Sequence, residues 1–502
     1  MRWGRLLLPI VCAAAWWGGA ACSSFGEDAP GGDGGVDGIE GSTADAPVAP
    51  PVARDVEVTV DWPTVAELDP ARRADAATIV ITLSDAADPT RVATIKKPNS
   101  ERGPFLFPKF LSSSEIDVVI RVESLSGLLV GHGERRRADV GVSPKVPVAV
   151  RRRLLYIASR DRDKPVGQLR TIDLAPSDLS EPSAREDTTV PELALVADGV
   201  SLYVTEDGLF LVEAGRDASS GAVRVFTTGS HETKRTITVP FTPAVMAPLG
   251  DGHRALLLPD GSSPSPIGAV VDLDSGAVAT VQTSLSAGTL DATSIAVHPK
   301  DGRIFATAQL SSGGKDTAYL LVYDGSKMTA SSLPGLSRAS AVRIVPDGTR
   351  AIVVGGLAGA GSTGAVFAVD AKSPTNPLTS LFNAPQWLAS TVVIDRDGRF
   401  AHVSGGDQGS LADMRTIDLQ TGKEKGRYAP NDAGPRYQLV SAVELPYPPY
   451  RLLAGQSDPA NNGQSTLVEV VVGGEPPVDV NLANNPSYGS FHAMASPFAR
   501  IR

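Results

Sequence analysis

Short runs of hydrophobic residues recur along most of the chain, and Asp-Gly dipeptides separate many of these runs. In the segment 338–370, one apolar run ends at Asp347-Gly348, a second covers residues 350–354, and a third ends at Asp370. Asp-Gly between alternating hydrophobic runs predicts a two-residue hairpin turn, because both central residues of that turn adopt a positive φ. The segment therefore predicts three consecutive antiparallel strands.

The same plan returns at a nearly constant period. By subtraction of their positions, successive Asp-Gly dipeptides stand 53, 50, 46 and 50 residues apart: Asp198-Gly199, Asp251-Gly252, Asp301-Gly302, Asp347-Gly348 and Asp397-Gly398. A unit of about 40–50 residues with four short strands is typical of one propeller blade. The third strand of four units ends on an acid, which we interpret as a cap for the turn backbone: Asp272, Asp324, Asp370 and Asp418.

Two further units lack the Asp-Gly turn. One starts at Leu439, with Pro448-Pro449 as its turn, and the other is divided between the two ends of the region. Residues 491–502 have the pattern of a first strand, and residues 153–161 have that of a second strand. Joining them removes the two unpaired edges that an open ring would have. The sequence therefore predicts an all-β fold, with a seven-bladed β-propeller over residues 151–502 that is closed by the C-terminal strand.

The unit with Leu202-Tyr203-Val204-Thr205 resembles the YVTN-type propeller repeat of surface-layer proteins and lactonase-like propellers, with Glu206 in place of the family's Asn. The resemblance covers roughly residues 153–502 at the level of pattern. It places this tetrad on the second strand of its unit, as the equivalent of three others: Ile304-Phe305-Ala306-Thr307, Ala351-Ile352-Val353-Val354 and Phe400-Ala401-His402-Val403. The resemblance implies a propeller fold and leaves the activity open, because one fold carries many functions.

Residues 1–21 have the features of a secretion signal. Arg2 and Arg5 give a positive start, an apolar stretch follows, and Gly19-Ala20-Ala21 precedes Cys22. Small residues directly before a cysteine resemble the lipobox of bacterial lipoproteins, although Gly19 stands in place of the usual Leu. The resemblance implies that Cys22 carries the lipid and becomes the new N-terminus. The alternative is ordinary signal cleavage that leaves Cys22 as an idle thiol.

Cysteine usage supports the lipidation of Cys22. The other cysteine, Cys12, lies in the segment that would be removed, so the mature chain could form no internal disulfide and no cysteine-based metal site. Ser23 follows Cys22, and by resemblance to Gram-negative lipoproteins the absence of Asp there implies the outer membrane. We therefore expect a cell-envelope protein held to the membrane by its N-terminal lipid, with residues 22–53 as a flexible acidic Gly/Pro-rich linker.

Residues 54–150 predict a separate small β-sandwich of immunoglobulin or transthyretin type. Alternating or apolar runs without helical periodicity recur there, at 55–62, 77–85, 104–110, 115–124 and 145–150. The two basic clusters, Arg135-Arg136-Arg137 and Arg151-Arg152-Arg153, are interpreted as a solvated loop and a domain hinge. The alternative is that these clusters contact lipid phosphates or an acidic partner.

Composition narrows the range of partners and cofactors. The formal net charge is −10 and aromatic residues make up 5% of the chain, which argues against a nucleic-acid partner because phosphate binding needs a basic surface. Residues 359–364 fit G-x-G-x-x-G, but a strand pattern follows, whereas a dinucleotide site needs a helix there. The six histidines share no register, so we expect no metal site and no cofactor: His132, His231, His253, His298, His402 and His492.

Function is therefore expected at the loops that join the second and third strands of the blades. These loops are longer and more polar than the Asp-Gly turns at the opposite end: residues 159–167, 355–364, 404–413 and 455–464. Binding residues are usually carried by variable loops on a rigid scaffold, so we expect a protein or polysaccharide partner of the envelope at this face. The alternative is a lactonase-like hydrolase at the channel mouth, for which the sequence assigns no catalytic residue.

Overall fold

The computed structural model describes the following residues of the chain: 50–64, 66–125, 127, 129–152, 154–160, 168–173, 185–186, 193–194, 198–205, 207–217, 220–228, 231–250, 252–261, 267–285, 287–359, 363–374, 378–395, 397–406, 413–428, 438–444, 451–458, 464–471, 479–481 and 490–495. Most of these residues lie in β-strands. The helical segments among them are two single turns of 3₁₀ helix, Ala66–Leu68 and Pro70–Arg72. The strands form a two-layer sandwich followed by seven separate antiparallel sheets.

The N-terminal region is a sandwich of a three-stranded and a five-stranded sheet. Its strands are β1 Val52–Asp61, β2 Ala76–Asp85, β3 Val92–Pro98, β4 Phe105–Ser112, β5 Glu115–Ser124, β6 Leu129–Asp139, β7 Lys145–Ala149 and β8 Arg151–Arg152. The smaller sheet has the order β4-β1-β7, and the larger sheet has the order β3-β2-β5-β6-β8. The sequence pattern predicts five of these strands and misses β3, β6 and β8.

Alternation along the strands explains how the two sheets pack. In β5, Ile116, Val118, Ile120 and Val122 are fully buried, while the residues between them are half-buried or exposed. Successive side chains of a strand point to opposite faces of the sheet, so all four point to one side. They share a core with Val58 of the smaller sheet, which places the hydrophobic core of the sandwich between its two layers.

The first basic cluster is not the solvated loop that its charge predicts. It lies in β6, where Arg135 pairs with Val118 of β5. The Nε of Arg136 lies 2.5 Å from Oε1 of Glu134, and the Arg136 side chain is only 11% exposed. The expectation failed because it used charge alone, whereas a neighbouring carboxylate allows a guanidinium to lie close to a packed strand.

The remaining strands form seven antiparallel sheets, numbered blades 1 to 7, and the strands of each blade run in order from the first to the fourth. Blade 1 contains β37 Ser490–Ala495, β9 Leu154–Arg160, β10 Gln168–Asp173, and two short strands beside β10, β11 Arg185–Glu186 and β12 Leu193–Ala194. Blade 2 contains β13 Asp198–Val204, β14 Phe210–Asp217, β15 Ser220–Thr227 and β16 Thr233–Val239, and blade 3 contains β17 Pro243–Leu249, β18 Arg254–Pro259, β19 Ile267–Asp272 and β20 Val278–Gln282.

The other four blades follow the same order. Blade 4 contains β21 Thr289–Val297, β22 Ile304–Ser312, β23 Lys315–Tyr323 and β24 Met328–Ser332, and blade 5 contains β25 Leu336–Ile344, β26 Arg350–Leu357, β27 Gly364–Asp370 and β28 Thr379–Ala384. Blade 6 contains β29 Leu388–Ile394, β30 Phe400–Gly406, β31 Asp413–Asp418 and β32 Glu424–Tyr428, and blade 7 contains β33 Gln438–Glu444, β34 Arg451–Asp458, β35 Gln464–Val471 and β36 Asp479–Asn481.

The seven blades form a closed ring. Each first strand contacts the first strands of its two neighbours, in the order β13, β17, β21, β25, β29, β33, β37 and back to β13. Closure depends on the pairing of β37 with β9, in which Ala493 lies opposite Ala158 and Ala495 lies opposite Tyr156. The pairing that the sequence predicts between these two segments is present. The fold is a seven-bladed β-propeller preceded by a β-sandwich.

The strands of blade 2 differ from those that the sequence pattern predicts. Asp198-Gly199 lies within β13, a first strand, and the connection to the second strand is instead at Asp207-Gly208. Leu202-Tyr203-Val204 therefore belongs to a first strand, whereas residues 304–307, which were compared with it, lie on a second strand. Two Asp-Gly dipeptides compete in this unit. With the turn between first and second strands at Asp207-Gly208, blade 2 has four strands. With that turn at Asp198-Gly199, the blade would have five strands before β17.

Every first strand carries a β-bulge at the same level. In each blade, the pairing with the second strand skips a residue of the first strand at this level: Val200, Ala244, Thr293, Ser340, Ser390, Val440 and His492. Blade 5 has a further skipped residue, Ser337. A bulge bends its strand and brings backbone close to the partner strand. A Cβ at Gly355 would lie 2.0 Å from the carbonyl oxygen of Arg338, and one at Gly405 would lie 2.6 Å from that of Leu388. Glycine at these two positions is therefore required by the close approach of the first-strand backbone.

The sandwich and the propeller meet in a buried contact, not in the solvated hinge that the second basic cluster suggests. Arg151 is 5% exposed. Its guanidinium donates at 3.0 Å to the carbonyl oxygen of Asp61 in the sandwich and at 3.0 Å to that of Asp207 in blade 2. Leu68 is fully buried in a cluster that also contains Tyr156 of blade 1. Carbonyl groups from both sides compensate the buried cation, which is why it does not need solvent.

Candidate functional site

Strand direction defines two faces of the propeller. The connections from first to second strands and from third to fourth strands lie on one face, which carries the Asp-Gly turns and is called the Asp-Gly face. The connections from second to third strands, and from one blade to the next, lie on the opposite face, called the loop-rich face. A second strand, β9, follows the sandwich directly, so the chain enters the propeller at the Asp-Gly face.

On the Asp-Gly face, side chains of one turn bond to the turn of the next blade. The hydroxyl of Tyr203 in blade 2 donates to the carbonyl oxygen of Gly252 in blade 3 at 2.7 Å. The Nε2 of His298 in blade 4 lies 2.8 Å from the carbonyl oxygen of Gly348 in blade 5. A Cβ at Gly348 would lie 2.9 Å from the His298 ring, so these neighbouring turns are tightly packed.

His253 adds an ionic contact between blades 2 and 3. Its Nε2 lies 2.9 Å from Oδ2 of Asp207, and its Nδ1 lies 3.1 Å from Oδ2 of Asp274. Burial lowers the pKa of His253, but hydrogen bonds to the two carboxylates outweigh that effect, so its pKa is raised above the ordinary value. Because only a ring with both nitrogens protonated donates to both carboxylates, the contact is strongest with the charged form.

The acids that end the third strands cap turns on this face, as the sequence predicts. In each, a side-chain oxygen accepts a hydrogen bond from a backbone N–H two or three residues later: Asp272 from Ser275 at 2.7 Å, Asp324 from Ser326 at 3.0 Å, Asp370 from Lys372 at 2.8 Å and Asp418 from Gln420 at 2.9 Å. Backbone hydrogen bonds from Lys327 and Ser326 lower the pKa of Asp324 to about 2. The polar groups of the Asp-Gly face thus bond largely to one another.

On the loop-rich face, the connections differ in length around the ring. By subtraction of strand bounds, the connection from second to third strand has two residues in blades 2 and 4, seven in blades 1 and 3, six in blades 5 and 6, and five in blade 7. The connections into and out of blade 7 have nine and eight residues, whereas those between the other blades have three to six. Blades 5, 6, 7 and 1, four neighbours in the ring that each have a second-to-third-strand connection of five residues or more, are called the long-loop sector. The seven-residue connection of blade 3 lies outside it, between the two-residue connections of blades 2 and 4.

The four loops that the sequence predicts to carry function all belong to the long-loop sector. The structure describes part of each: residues 159–160, residues 355–359 with 363–364, residues 404–406 with 413, and residues 455–458 with 464. The rest of each loop lies outside the described residues. The G-x-G-x-x-G motif ends at Gly364, where the strand β27 begins, so no helix follows the motif and a dinucleotide site of this kind is not formed.

A buried polar group lies between blades 5 and 6 at the edge of this sector. Trp387, directly before β29, is 2% exposed, and the guanidinium carbon of Arg415 lies 4.8 Å from the centre of its ring. Asp413, which begins β31 and is 1% exposed, has its Oδ2 2.5 Å from Nε of Arg427 and 3.4 Å from Nε of Arg415. These four residues are called the Trp387 cluster. The Arg427 side chain remains 54% exposed, so the cluster presents one cation to solvent.

The backbone around Trp387 leaves no room for other side chains. A Cβ at Gly405 would lie 2.5 Å from the indole Nε1, and one at Gly364 would lie 2.1 Å from the Trp387 carbonyl oxygen. Phe382 packs edge-on against the indole, with ring centres 6.2 Å apart. The contacts of Asp413 with the arginines are ionic rather than well-aligned hydrogen bonds. Packing around Trp387 and these ionic contacts together hold the cluster, from which Arg427 reaches solvent.

The bulges place hydroxyl groups at equivalent positions on the first strands of three consecutive blades. Oγ1 of Thr293 lies 3.1 Å from the carbonyl oxygen of Thr307, and Oγ of Ser390 lies 3.1 Å from that of Ser404. A bulge disrupts the ladder beside it, and these hydroxyls give the second-strand carbonyls a donor. The equivalent residue of blade 5, Ser340, is half-buried. The hydroxyls of blades 4 and 6 are thus accounted for by the fold.

The histidines do not converge on one site. His132 lies in the sandwich, His253 and His298 lie in turns of the Asp-Gly face, and His402 lies within β30. Complete burial lowers the pKa of His402 to about 4, and its Nδ1 lies 3.1 Å from the hydroxyl oxygen of Thr416. Within the part of the chain that the structure describes, no three His, Cys, Asp or Glu residues are arranged to hold a metal ion.

The proposed lipidation site, Cys22, lies outside the described residues, as do the signal segment and most of the linker. Lipidation therefore stays a prediction. No helix in the described ranges is both long enough and apolar enough to cross a bilayer.

The Trp387 cluster is the feature that sequence reasoning missed. Its residues come from the connection into blade 6 and from two strands of that blade, β31 and β32, and are brought together only when the blade folds. A signal was nevertheless present, because Gly355-Gly356 and Gly405-Gly406 stand at equivalent positions near the ends of two second strands. Glycine inside a strand pattern indicates a bulge or a close backbone approach, and both occur in these two blades.

Known proteins similar to this chain are distant from it. No family model and no curated protein matches the sequence. Solved structures similar to this chain include hydrazine synthase of Kuenenia stuttgartiensis, which is 15% identical, with 63% of this chain and 95% of that chain covered and a TM-score of 0.47. A provisionally assigned 6-phosphogluconolactonase of Bacteroides uniformis is 15% identical, with coverage of 68% and 99% and a TM-score of 0.46.

TolB of Acinetobacter baumannii is also similar, at 13% identity, with 64% of this chain and 78% of that chain covered and a TM-score of 0.37. Similarities at this level carry no argument about activity, substrate or partner. The propeller assignment rests on the seven sheets of this structure and on the closed order of their first strands.

Proposed function

We propose that this chain is a lipid-anchored protein of the cell envelope that binds a protein or polysaccharide partner through the long-loop sector. The observation that carries the proposal is the difference between the two faces. Turns of the Asp-Gly face bond to one another, as Tyr203 does to Gly252 and His298 to Gly348. On the other face, four neighbouring blades have second-to-third-strand connections of five to seven residues, and variable loops on a rigid scaffold usually carry binding.

The path of the chain also supports the loop-rich face as the side on which the partner binds. The sandwich precedes β9, and Arg151 bonds to the Asp207 turn, so the sandwich lies against the Asp-Gly face. A lipid at Cys22 would attach the protein through the far side of the sandwich. The loop-rich face is then directed away from the membrane that carries the lipid, where an envelope partner has access to it.

The experiment shortens the loops while keeping the scaffold. Residues 407–412 and 459–463 are each replaced by Gly-Gly, the two-residue connection that blade 4 already uses at Gly313-Gly314. The chain from residue 22 is used as bait on native envelope extracts and on purified envelope polysaccharide. We expect the parent chain to retain one partner in stoichiometric amount, and the double loop variant to lose it by about tenfold or more, as hot-spot removal does.

The matched control changes the Asp-Gly face instead. Lys300 is an exposed cation in the first turn of blade 4, and Lys300→Glu should leave the captured partner unchanged. Loss of capture in the control as well as in the loop variant would contradict a site in the long-loop sector. If the folded parent retains neither protein nor polysaccharide, binding is not its function, and hydrolysis of a lactone panel becomes the next assay.

The anchor is tested separately. Mass analysis of the mature N-terminus should show Cys22 with acyl chains, and Cys22→Ser should release the protein from the membrane fraction, because each buried CH₂ contributes about 0.8 kcal/mol to anchoring. An unmodified Cys22 would contradict the anchor without affecting the proposal for the loops.

A further inference from the structure

Large exposed hydrophobic side chains are concentrated in the sandwich. Among the described residues, the sandwich has six: Leu106 at 59%, in β4 of the smaller sheet, Leu125 at 88%, and a group of four, Val52, Val92, Leu111 and Val142, at 48%, 53%, 46% and 85%. The described part of the propeller contributes only Val278 to this class, at 37%. Exposed apolar groups that gather in one place mark a contact surface, whereas single ones are ordinary.

Backbone contacts bring these four side chains to one end of the sandwich, called the N-terminal tip. Strand β1 starts there, β4 ends there, β3 begins there, and the loop between β6 and β7 closes over it. The contacts that define the tip are Val52 opposite Ser112, Val92 opposite Ser84, Oγ of Ser113 at 2.5 Å from Oδ1 of Asp85, and the N–H of Val140 donating to the carbonyl oxygen of Ser114 at 2.8 Å.

The propeller is attached at the opposite end. β1 ends at Asp61, whose carbonyl oxygen accepts from Arg151 of the junction. Strands β1 and β5 have ten residues each, so the tip and the junction are about 30 Å apart at roughly 3.3 Å per residue. Leu125, which follows β5 at the junction end, is 88% exposed and serves as a natural comparison for Val142.

Charged groups at the tip are largely compensated within the protein. Nη1 of Arg91 lies 2.8 Å from Asp85, and its Nη2 lies 3.1 Å from Asp88. Arg54 donates to the carbonyl oxygen of Ser112 at 2.9 Å. Compensated charges lower the cost of placing the tip against a less polar surface.

The path of the chain indicates which surface that is. The described residues begin at Pro50, two residues before β1, so the segment that leads back to Cys22 leaves from the tip. We propose that the N-terminal tip contacts the lipid surface to which the chain is anchored, with Val52, Val92, Leu111 and Val142 in the interfacial layer. The sandwich then stands on the membrane and holds the propeller away from it. This inference rests on the proposed anchor at Cys22.

The test attaches the chain to a membrane without using Cys22. The chain from residue 22, with Cys22→Ser and an N-terminal hexahistidine tag, is bound to phosphatidylcholine vesicles that contain a nickel-chelating lipid. An environment-sensitive fluorophore is attached to a single cysteine introduced by Val142→Cys or by the matched Leu125→Cys. We expect the label at position 142 to shift to the blue and to be quenched about twofold by doxyl lipid, as apolar groups in the interface are, and the label at 125 to do neither.

A second variant identifies the side chains responsible. Val52→Ser, Val92→Ser and Leu111→Ser together should abolish quenching at position 142, with an unchanged thermal midpoint because all three side chains are already exposed in the fold. Equal quenching at positions 142 and 125, or none at 142 on a folded protein, would overturn the proposal. So would a label at 142 that stays in water on vesicles and becomes shielded only when envelope proteins are added. Since the tether is artificial, neither result bears on the lipidation of Cys22.

Discussion

The two faces of the propeller are built from the ends of the same strands, yet they are stabilised differently. On the Asp-Gly face, the turns between first and second strands have four to six residues in blades 2 to 7, by subtraction of strand bounds, and one such turn reaches the next, as His253 does Asp207. On the loop-rich face, connections range from two to nine residues and cannot all meet in this way. The regular part of the repeat therefore maintains the ring, and the irregular part is available for binding.

The difference extends to how contacts are distributed. The Asp-Gly face depends on many small contacts of one hydrogen bond each, such as that from Tyr203 to Gly252. The described part of the loop-rich face between blades 5 and 6 depends on one large buried side chain, Trp387, with Asp413 and Arg415 beside it. Single substitutions should therefore cost more at the Trp387 cluster than at any one turn.

The largest effect is expected from Trp387→Ala. The side chain is 2% exposed, and removal of a buried Trp typically costs about 3–5 kcal/mol of unfolding free energy. Urea denaturation of the full chain measures it, with Trp62→Ala in the half-buried sandwich position as the control, for which a smaller loss is expected. A loss below about 1 kcal/mol for Trp387→Ala would show that the indole does not support this face.

The next largest effect is a pH dependence of the folding stability that comes from His402 in blade 6. The pKa of His402 is lowered by burial to about 4, so the folded state binds its proton less tightly than the unfolded chain does. Stability is then lost as pH falls from about 6.5 to about 4, by about 3 kcal/mol in total. Urea denaturation at several pH values measures this loss. In His402→Gln, the unfolding free energy should change less with pH over this range. An unchanged slope would contradict the assignment.

A smaller loss of unfolding free energy is expected from Asp413→Asn. Removing the carboxylate takes one of two charge partners from Arg415, whose side chain is 15% exposed; the other, Oε2 of Glu424, lies 3.2 Å from its Nη1 and remains. Breaking a buried pair costs about 3–5 kcal/mol, and we expect about 2 kcal/mol for this one because Arg427 is half-exposed and can turn to solvent. The control is Asp324→Asn on the Asp-Gly face, which should change stability much less, since that carboxylate caps an exposed turn.

Tyr203→Phe tests a single contact of the Asp-Gly face. It removes the hydrogen bond to Gly252 and leaves the ring, so we expect a loss of about 1 kcal/mol. The same urea assay measures it, and Tyr323→Phe, whose hydroxyl bonds within its own turn at 2.8 Å to Gly325, is the comparison. If Tyr203→Phe were as costly as Trp387→Ala, the proposed difference between the faces would be wrong.

The smallest effect is a second pH dependence of the stability, which comes from His253 on the Asp-Gly face. Its sign is opposite to that of His402. The pKa of His253 is raised because hydrogen bonds to Asp207 and Asp274 outweigh burial. Its contribution is present below pH 6.5 and is lost as pH rises through the raised value. NMR titration of the His253 ring should show the raised pKa directly, and Asp274→Asn should lower it. A ring that titrates at or below the ordinary histidine value would contradict the contact.

Much of the fold could be predicted from the sequence, because its signals are local. Alternation within 5–9 residues and Asp-Gly at a period near 50 predict strands and turns, and the unmatched segments at 153–161 and 491–502 predict the closure by β37. The prediction failed where two local signals competed, at Asp198-Gly199 and Asp207-Gly208. It also failed at Arg135 and Arg151, where charge was taken to mean exposure.

The sequence by itself determined the class of fold, the blade count and the segments that close the ring, since each depends on residues that are near one another in the chain or share one repeated pattern. Only the tertiary structure decided where the buried cations, the Trp387 cluster and the N-terminal tip lie. Trp387 meets Arg415 across 28 positions of the chain, by subtraction, and Arg151 meets Asp207 across 56. Contacts of that kind arise when separate strands pack, and local periodicity does not encode which side chains will then face each other.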